Sequence, residues 1–386
     1  MVKKAVVIGS GQTGRGYVGR FLFEKNYDIT LIDSNPELID LLKEDRAFTI
    51  HFYSKDRTPL HIDNLHACLS HSEEAKQAIY DADFIFTSVG EQNLYEVALQ
   101  LKEGLEGKEK CTKIVTAENF QLDYEIGINP GKVLRTEMEK QNITAPYIIS
   151  MTAVFCSTVK LDKTRLDILS MNEYYFPYDA DELDSLDFEG AVPIHNFEKF
   201  LKRKIYTYNC LAGLISYCGY VKGYEVYGDA ANDPDISLAM DTLLKDLNPV
   251  LQDYFQITKE DQEEFAQRAL RKMKDKDILD FNIKNGRAPK RKLGPTERIM
   301  SPMNILKDHG RDYAIMEFVA AAALVYWNER GNISEPAMEH SPIETFCELN
   351  DLSVDSDIAQ HVQYYYDQIM EHRSDVQMME IIKNKE

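Results

Sequence analysis

Ala5-Val6-Val7-Ile8-Gly9-Ser10-Gly11-Gln12-Thr13-Gly14-Arg15-Gly16 is the stretch whose reading decides the fold. Its leading apolar residues predict a buried strand and its glycines a sharp turn. The run that follows, with Val18, Phe21 and Leu22 on one face, predicts an amphipathic helix. Strand, turn and helix in that order make a G-x-G-x-x-G spacing informative. Gly9 lets the chain turn, Gly11 leaves the backbone bare for a pyrophosphate, and Gly14 lets helix and strand pack closely. Gln12 and Thr13 complete the loop, where a helix N-terminus offers unpaired N–H groups and a positive dipole end.

The next strand, Tyr27 to Asp33, ends in an acid nineteen residues past Gly14. A carboxylate there can accept from both ribose hydroxyls of a dinucleotide and would repel a 2′-phosphate, so NAD is expected over NADP. A glycine-rich turn in another α/β fold and an FAD site are the rival readings of the same spacing.

The chain has 386 residues, 44% of them hydrophobic and 28% charged, which suits a soluble protein with two domains. A net charge of −20 argues against nucleic-acid partners and anionic membranes. With no apolar leader and no apolar run of membrane-spanning length, a cytoplasmic protein is expected. None of the six cysteines forms a C-x-x-C pair, and His61, His66, Cys68 and His71 follow no zinc spacing, so no metal is expected.

Helices are expected at 35–43, 72–80 and 93–105, an antiparallel excursion at 47–69, and strands at 82–90, 112–119 and 148–159. The alternation of strand and helix implies a Rossmann-like, doubly wound, mostly parallel sheet. Ligands gather at the carboxyl ends of such strands, which places Val89, Gly90 and Glu118 by the cofactor. Near His195 the pattern turns helical. Residues 196–220 read as one helix, with others at 235–255, 259–274, 313–330 and 357–383. The expected domains are therefore 1–195, binding NAD, and 196–386, an α-helical domain supplying substrate and catalytic groups, with the active site between them.

Hydride chemistry on an alcohol needs a base for the hydroxyl proton. Lys204 and Asn209 stand early in the first helix of the second domain. Five positions apart, they lie ~140° apart on an α-helix and border a pocket from two sides. Read alone, Lys204 also fits a solvated cluster with Lys202 and Arg203. The basic run Lys284 to Lys292 with Arg298 reads as an anion site or as a solvated loop.

Together these residues resemble the polyol-specific long-chain dehydrogenase/reductase family, of the mannitol-1-phosphate 5-dehydrogenase and mannitol dehydrogenase kind. The glycine loop with Arg15-Gly16, Thr87-Ser88-Val89-Gly90, Glu118-Asn119, Lys204 with Asn209, Tyr217, Gly219 and Gly223, and Arg287, Lys292, Leu293 and Arg298 carry the likeness. The resemblance implies Lys204 as general acid/base, Asn209 and Asn119 as hydrogen-bond donors to the reacting oxygen, and Arg287, Lys292 and Arg298 as contacts to a substrate anion. It implies hydride transfer between NAD and a secondary alcohol of a polyol or polyol phosphate, such as mannitol 1-phosphate giving fructose 6-phosphate. The chain departs from the family at Ala212, where a histidine is usual, and at Ala153-Val154-Phe155-Cys156, where an acid-base pair is. Two alternatives follow: an NAD-binding sensor or interaction protein without activity, or a sugar-acid dehydrogenase. The oligomeric state is left open.

Overall fold

In the computed structural model, residues 2–54, 56–118, 129–156, 158–161, 165–334, 336–373 and 375–385 are described. The chain divides into two compact units, Met1–Phe200 and Leu201–Glu386.

In chain order the strands of the first unit are β1 (Lys4–Ile8), β2 (Asp28–Asp33), β3 (Phe48–Phe52), β4 (Leu60–Ile62), β5 (His66–Leu69), β6 (Phe84–Thr87), β7 (Thr112–Thr116), β8 (Tyr147–Met151), β9 (Thr158–Lys160), β10 (Ile168–Ser170), β11 (Phe176–Asp179) and β12 (Ala191–Ile194). A six-stranded sheet runs β5-β2-β1-β6-β7-β8, with every neighbouring pair parallel.

The apolar strands of the expected sheet fill both faces, as a parallel sheet under helices requires. Ala5 and Val7 of β1 join Leu31, Phe84, Phe86 and Val115 in one core with Tyr17, Phe21 and Phe176. Val6 and Ile8 point the other way, joining Ile32, Ile85, Ile114 and Ile149 against helix residues such as Ile79, Leu101 and Leu134. Helices Pro36–Asp45 and Glu73–Asp81 begin at Asn35 and Ser72, whose side chains accept first-turn N–H groups. Such caps contribute about 1 kcal/mol each.

The 47–69 excursion splits. β3 and β4 pair antiparallel, but β5 returns to the main sheet as its edge, parallel to β2. Likewise 148–159 is not one strand. β8 belongs to the main sheet, and β9 joins the second sheet, β4-β3-β10-β9. His61 therefore lies on the second sheet and His66 and Cys68 on the first. His61 meets Thr49, and His71 meets Glu103.

Two buried arginines tie the segment after the glycine loop to this second sheet and its flanks. Arg15 donates to Ser10 O at 2.8 Å and Leu166 O at 2.7 Å, and its guanidinium lies over the Phe48 ring. Burial pulls its pKa down to about 10. Arg20 donates to Met171 O and lies over the Tyr174 ring.

The second unit is helical. Its main helices are Cys210–Val221, Pro234–Phe255, Lys259–Met273, Met300–Asp308, Ala314–Ser334, Pro342–Asn350, Asp357–Glu371 and Met378–Lys385. The expected 357–383 helix is two helices, divided after Glu371. In Ala314–Ser334, residues Met316 and Phe318 to Trp327 are all buried, the mark of a helix enclosed on all sides. Among the described residues no helix is long and apolar enough to cross a membrane.

Candidate active site

The three loop glycines each meet a different constraint. Gly9 has φ +93°, and a β-carbon on it would lie 2.3 Å from Ser88 O. A β-carbon on Gly14 would lie 2.0 Å from Gly9 O, whereas one on Gly11 would meet nothing within 4 Å. Gly9 and Gly14 are therefore required by the protein itself. Gly11 leaves open space beside exposed Gln12, where a helix begins. That open backbone at a helix N-terminus fits a pyrophosphate.

Asp33 is in place at the end of β2 and is half-buried. One carboxylate oxygen accepts Ser10 N–H at 2.7 Å and the other accepts Asn35 N–H at 2.9 Å. The residue expected to face the ribose thus also fixes the glycine loop to the neighbouring strand. Each oxygen keeps a lone pair for a ligand.

β1 and β6 are neighbours at the point where strand order reverses, so the loops after them border one crevice. Past β6, Gly90 has φ +85°. Glu118 is buried below this turn and accepts from Thr87 Oγ1 at 2.9 Å, Val89 N–H at 3.0 Å and Gly90 N–H at 2.8 Å. Its carboxylate shapes the Val89-Gly90 turn from beneath. Asn119 lies outside the described residues.

In the second unit the expected α-helical spacing of Lys204 and Asn209 is replaced. Helix Phe197–Lys204 passes into a π turn, Ile205–Asn209, and then into Cys210–Val221. Cys210 N–H donates to Ile205 C=O, an i→i+5 bond. Five residues then close about one turn, so Lys204 and Asn209 share a face instead of standing ~140° apart as on an α-helix. Lys204 keeps part of its surface open. Its amine is nonetheless pulled down to about 7, first by burial and then by the charges of Lys272 and Arg298.

Arg298 lies along Gly213, with the glycine's β-carbon position 3.6 Å from Arg298 Cδ. Gly213 is one helical turn past Asn209, which brings the guanidinium to the same helix face. Lys292 is buried, donates to the carbonyl of Asn285 and stands 6.0 Å from the centre of the Tyr217 ring. Burial, then Arg298 and Arg291, push its amine well below the ordinary lysine value. One buried carboxylate offsets this charge. Glu297 accepts from Arg291 at 2.7 Å and from Arg298 Nε at 3.1 Å. Burial would raise Glu297, but these two arginines outweigh it and hold it low.

The second unit thus gathers Lys204, Asn209, Lys292 and Arg298. Arg287 stays exposed, its Nε on Lys284 O at 3.0 Å. Lys272 and Glu297 carry no signal in the sequence: Lys272 sits on another helix, and the burial of Glu297 beside Arg291 and Arg298 is set by the fold. A half-neutral amine beside an amide and cationic groups can exchange a proton with a hydroxyl and hold an anion.

Both family departures have structural settings. Phe155 is buried among aromatic rings, with Tyr175 at 5.2 Å and Phe200 at 6.0 Å between centroids. Ala212 is half-buried.

Residues 3–157 match the mannitol dehydrogenase Rossmann domain and residues 196–372 the mannitol dehydrogenase C-terminal domain. A mannitol-1-phosphate 5-dehydrogenase of Exiguobacterium sibiricum is 28% identical over 90% of this chain and 90% of its own length. One from Emericella nidulans is 27% identical over 93% of this chain and 96% of its own. Among solved structures, Pseudomonas fluorescens mannitol 2-dehydrogenase, as a ternary complex with NAD and D-mannitol, has a similar fold. Its TM-score is 0.70 at 14% identity, covering 100% of this chain and 94% of that one.

Proposed function

The chain belongs to the mannitol dehydrogenase family, and from that premise we propose that it is an NAD-dependent dehydrogenase acting on a polyol phosphate, converting mannitol 1-phosphate and fructose 6-phosphate into one another. Gly9, Gly11, Gln12, Thr13 and Gly14 would hold the pyrophosphate, Asp33 the adenosine ribose, and Val89 and Gly90 the nicotinamide half. The bare backbone at Gly11 supports this fit. When bound, NAD supplies the hydride acceptor.

Lys204 takes the proton of the substrate's secondary hydroxyl as the carbon gives up its hydride, and a ketone results. In reduction the protonated amine returns that proton to the new alkoxide. Asn209, joined by Asn119 in the reading drawn from the family, donates to the reacting oxygen as negative charge develops on it. Lys292 and Arg298 hold the phosphate, with Arg287 at the exposed edge, and Arg298 is suited to paired N–H contacts with its oxygens.

The observation that carries this reading is the π turn that sets Lys204 on one face with Asn209 and Arg298, where burial also pulls the amine down to about 7. A general base works best with a pKa near the operating pH. The test is NADH absorbance with mannitol 1-phosphate, mannitol, other polyols and sugar acids, run on the protein and on Lys204→Ala. Turnover is expected on the phosphorylated polyol and is lost in the variant. Full turnover by Lys204→Ala rejects the base. Silence across the panel with NAD still bound leaves a cofactor-binding protein without the reaction.

A further inference from the structure

The π turn that aligns Lys204 with Asn209 is docked residue by residue against the helix pair Pro234–Phe255 and Lys259–Met273. The Tyr206 ring lies 6.0 Å from the Phe255 ring, and the Tyr208 ring 4.9 Å from Phe265. Between them Thr207 is fully buried, and its hydroxyl accepts from Gln262 Nε2 at 3.2 Å. Gln262 is itself fully buried. Its Nε2 also donates to Asn248 Oδ1 at 3.0 Å, and its Oε1 accepts from Arg203 Nε at 2.8 Å. Arg203 continues to Asp261 through NH1 at 3.0 Å and NH2 at 2.8 Å.

This network has an unusual position. It grips the residue just before Lys204 and the residue two before Asn209. π turns are rare and recur at functional sites, and an uncommon backbone state persists only where its surroundings over-determine it. A relaxed α-helical path through 205–209 would send Lys204 and Asn209 to different faces. Burying an amide and a hydroxyl is costly unless both are bonded, and here the Gln262 amide bonds the Thr207 hydroxyl inside the turn and Arg203 just before it.

We propose that Gln262 and Thr207 are positioning residues that hold the π turn, so that the amine of Lys204 and the amide of Asn209 meet the same substrate oxygen. The inference rests on the acid/base reading of Lys204. Gln262 acts through Thr207 and Arg203.

The experiment measures kcat and KM for NAD and polyol phosphate, thermal stability, and the pH profile of alcohol oxidation. The variants are Thr207→Val, Thr207→Ser, Gln262→Met and Lys204→Ala. Thr207→Val and Gln262→Met are expected to lower kcat about 10- to 100-fold, the range for small misplacements of reacting groups. KM for NAD should stay within about twofold, since the cofactor loop is in the other unit. The acidic limb of the profile should move upward as the amine leaves the burial and the Lys272 and Arg298 charges that depress it. Thr207→Ser, which keeps the hydroxyl, should restore kcat and the limb. If Thr207→Val does not fold, Gln262→Met and Thr207→Ser decide the matter. Variants that lose thermal stability but keep kcat and the pH limb overturn the positioning role and leave Lys204 standing. A fully active Lys204→Ala removes the reading beneath it instead.

Discussion

A β-carbon on Gly14 would stand 2.0 Å from the carbonyl oxygen of Gly9, while one on Gly11 would touch nothing. The two glycines should therefore fail in different ways. Gly14→Ala drives a methyl into backbone and should destabilise the first unit by about 1–3 kcal/mol or more, the cost of overpacking. Gly11→Ala should leave the melting temperature unchanged and weaken NAD binding, read by titrating NADH fluorescence. Equal melting temperatures for the two variants would contradict this division.

Asp33 accepts from Ser10 and Asn35, and in the proposed function it also holds the adenosine ribose. Asp33→Ser removes a carboxylate that repels a 2′-phosphate. Hydrogen bonds to charged groups contribute ~1.5–3 kcal/mol. The preference for NAD over NADP, as a ratio of kcat/KM values, should then fall by about 10- to 100-fold. Because the loop also loses its anchor, absolute affinity for NAD should fall in the same titration.

Lys204 gives a pH dependence with a definite sign. Burial, with the charges of Lys272 and Arg298, pulls its amine down to about 7 from the ordinary 10.5. In the proposed reaction the neutral amine takes the hydroxyl proton, so kcat/KM for alcohol oxidation should rise through about pH 7 and level off above it, with the pH profile as the measurement.

Stability follows from the same shift. Between about pH 7 and 10.5 the unfolded chain holds a proton that the folded chain has released, so stability rises with pH across that window. Below about 7 the full cost of enclosing the cation is present. Lys204→Met should abolish turnover and raise the melting temperature. The gain should be greatest near pH 6 and shrink toward about pH 10.

Glu297 is buried and holds both Arg291 and Arg298. Glu297→Gln leaves two cations without their carboxylate. Breaking a buried pair costs about 3–5 kcal/mol, which denaturant unfolding would register. KM for the phosphorylated substrate should rise as Arg298 loses its fixed position, while KM for NAD stays constant. An unchanged KM for the phosphate would separate Arg298 from the substrate.

Local sequence was enough for the dinucleotide-binding fold of the first unit. The strand, glycine turn, helix and Asp33 lie in the first 33 residues, where short-range sterics set the outcome: a positive φ at Gly9 and a close approach at Gly14 each permit one residue type. Apolar runs likewise marked the strands of the parallel sheet. The return of β5 to the sheet edge was hidden, because a four-residue strand such as His66–Leu69 carries too little pattern to name its partner.

By itself, then, the sequence determined the dinucleotide fold, the helical second half and the residue types available for proton transfer. Only the tertiary structure decided that Lys204 and Asn209 share a face, that Glu118 braces a turn, and that Glu297 offsets Arg291 and Arg298. The physical reason is distance along the chain and burial. Gln262 bonds the π turn from another helix, enclosure together with Lys272 and Arg298 depresses the amine, and burial turns the neighbouring Glu297, Arg291 and Arg298 into a charge cluster; no local periodicity records any of these.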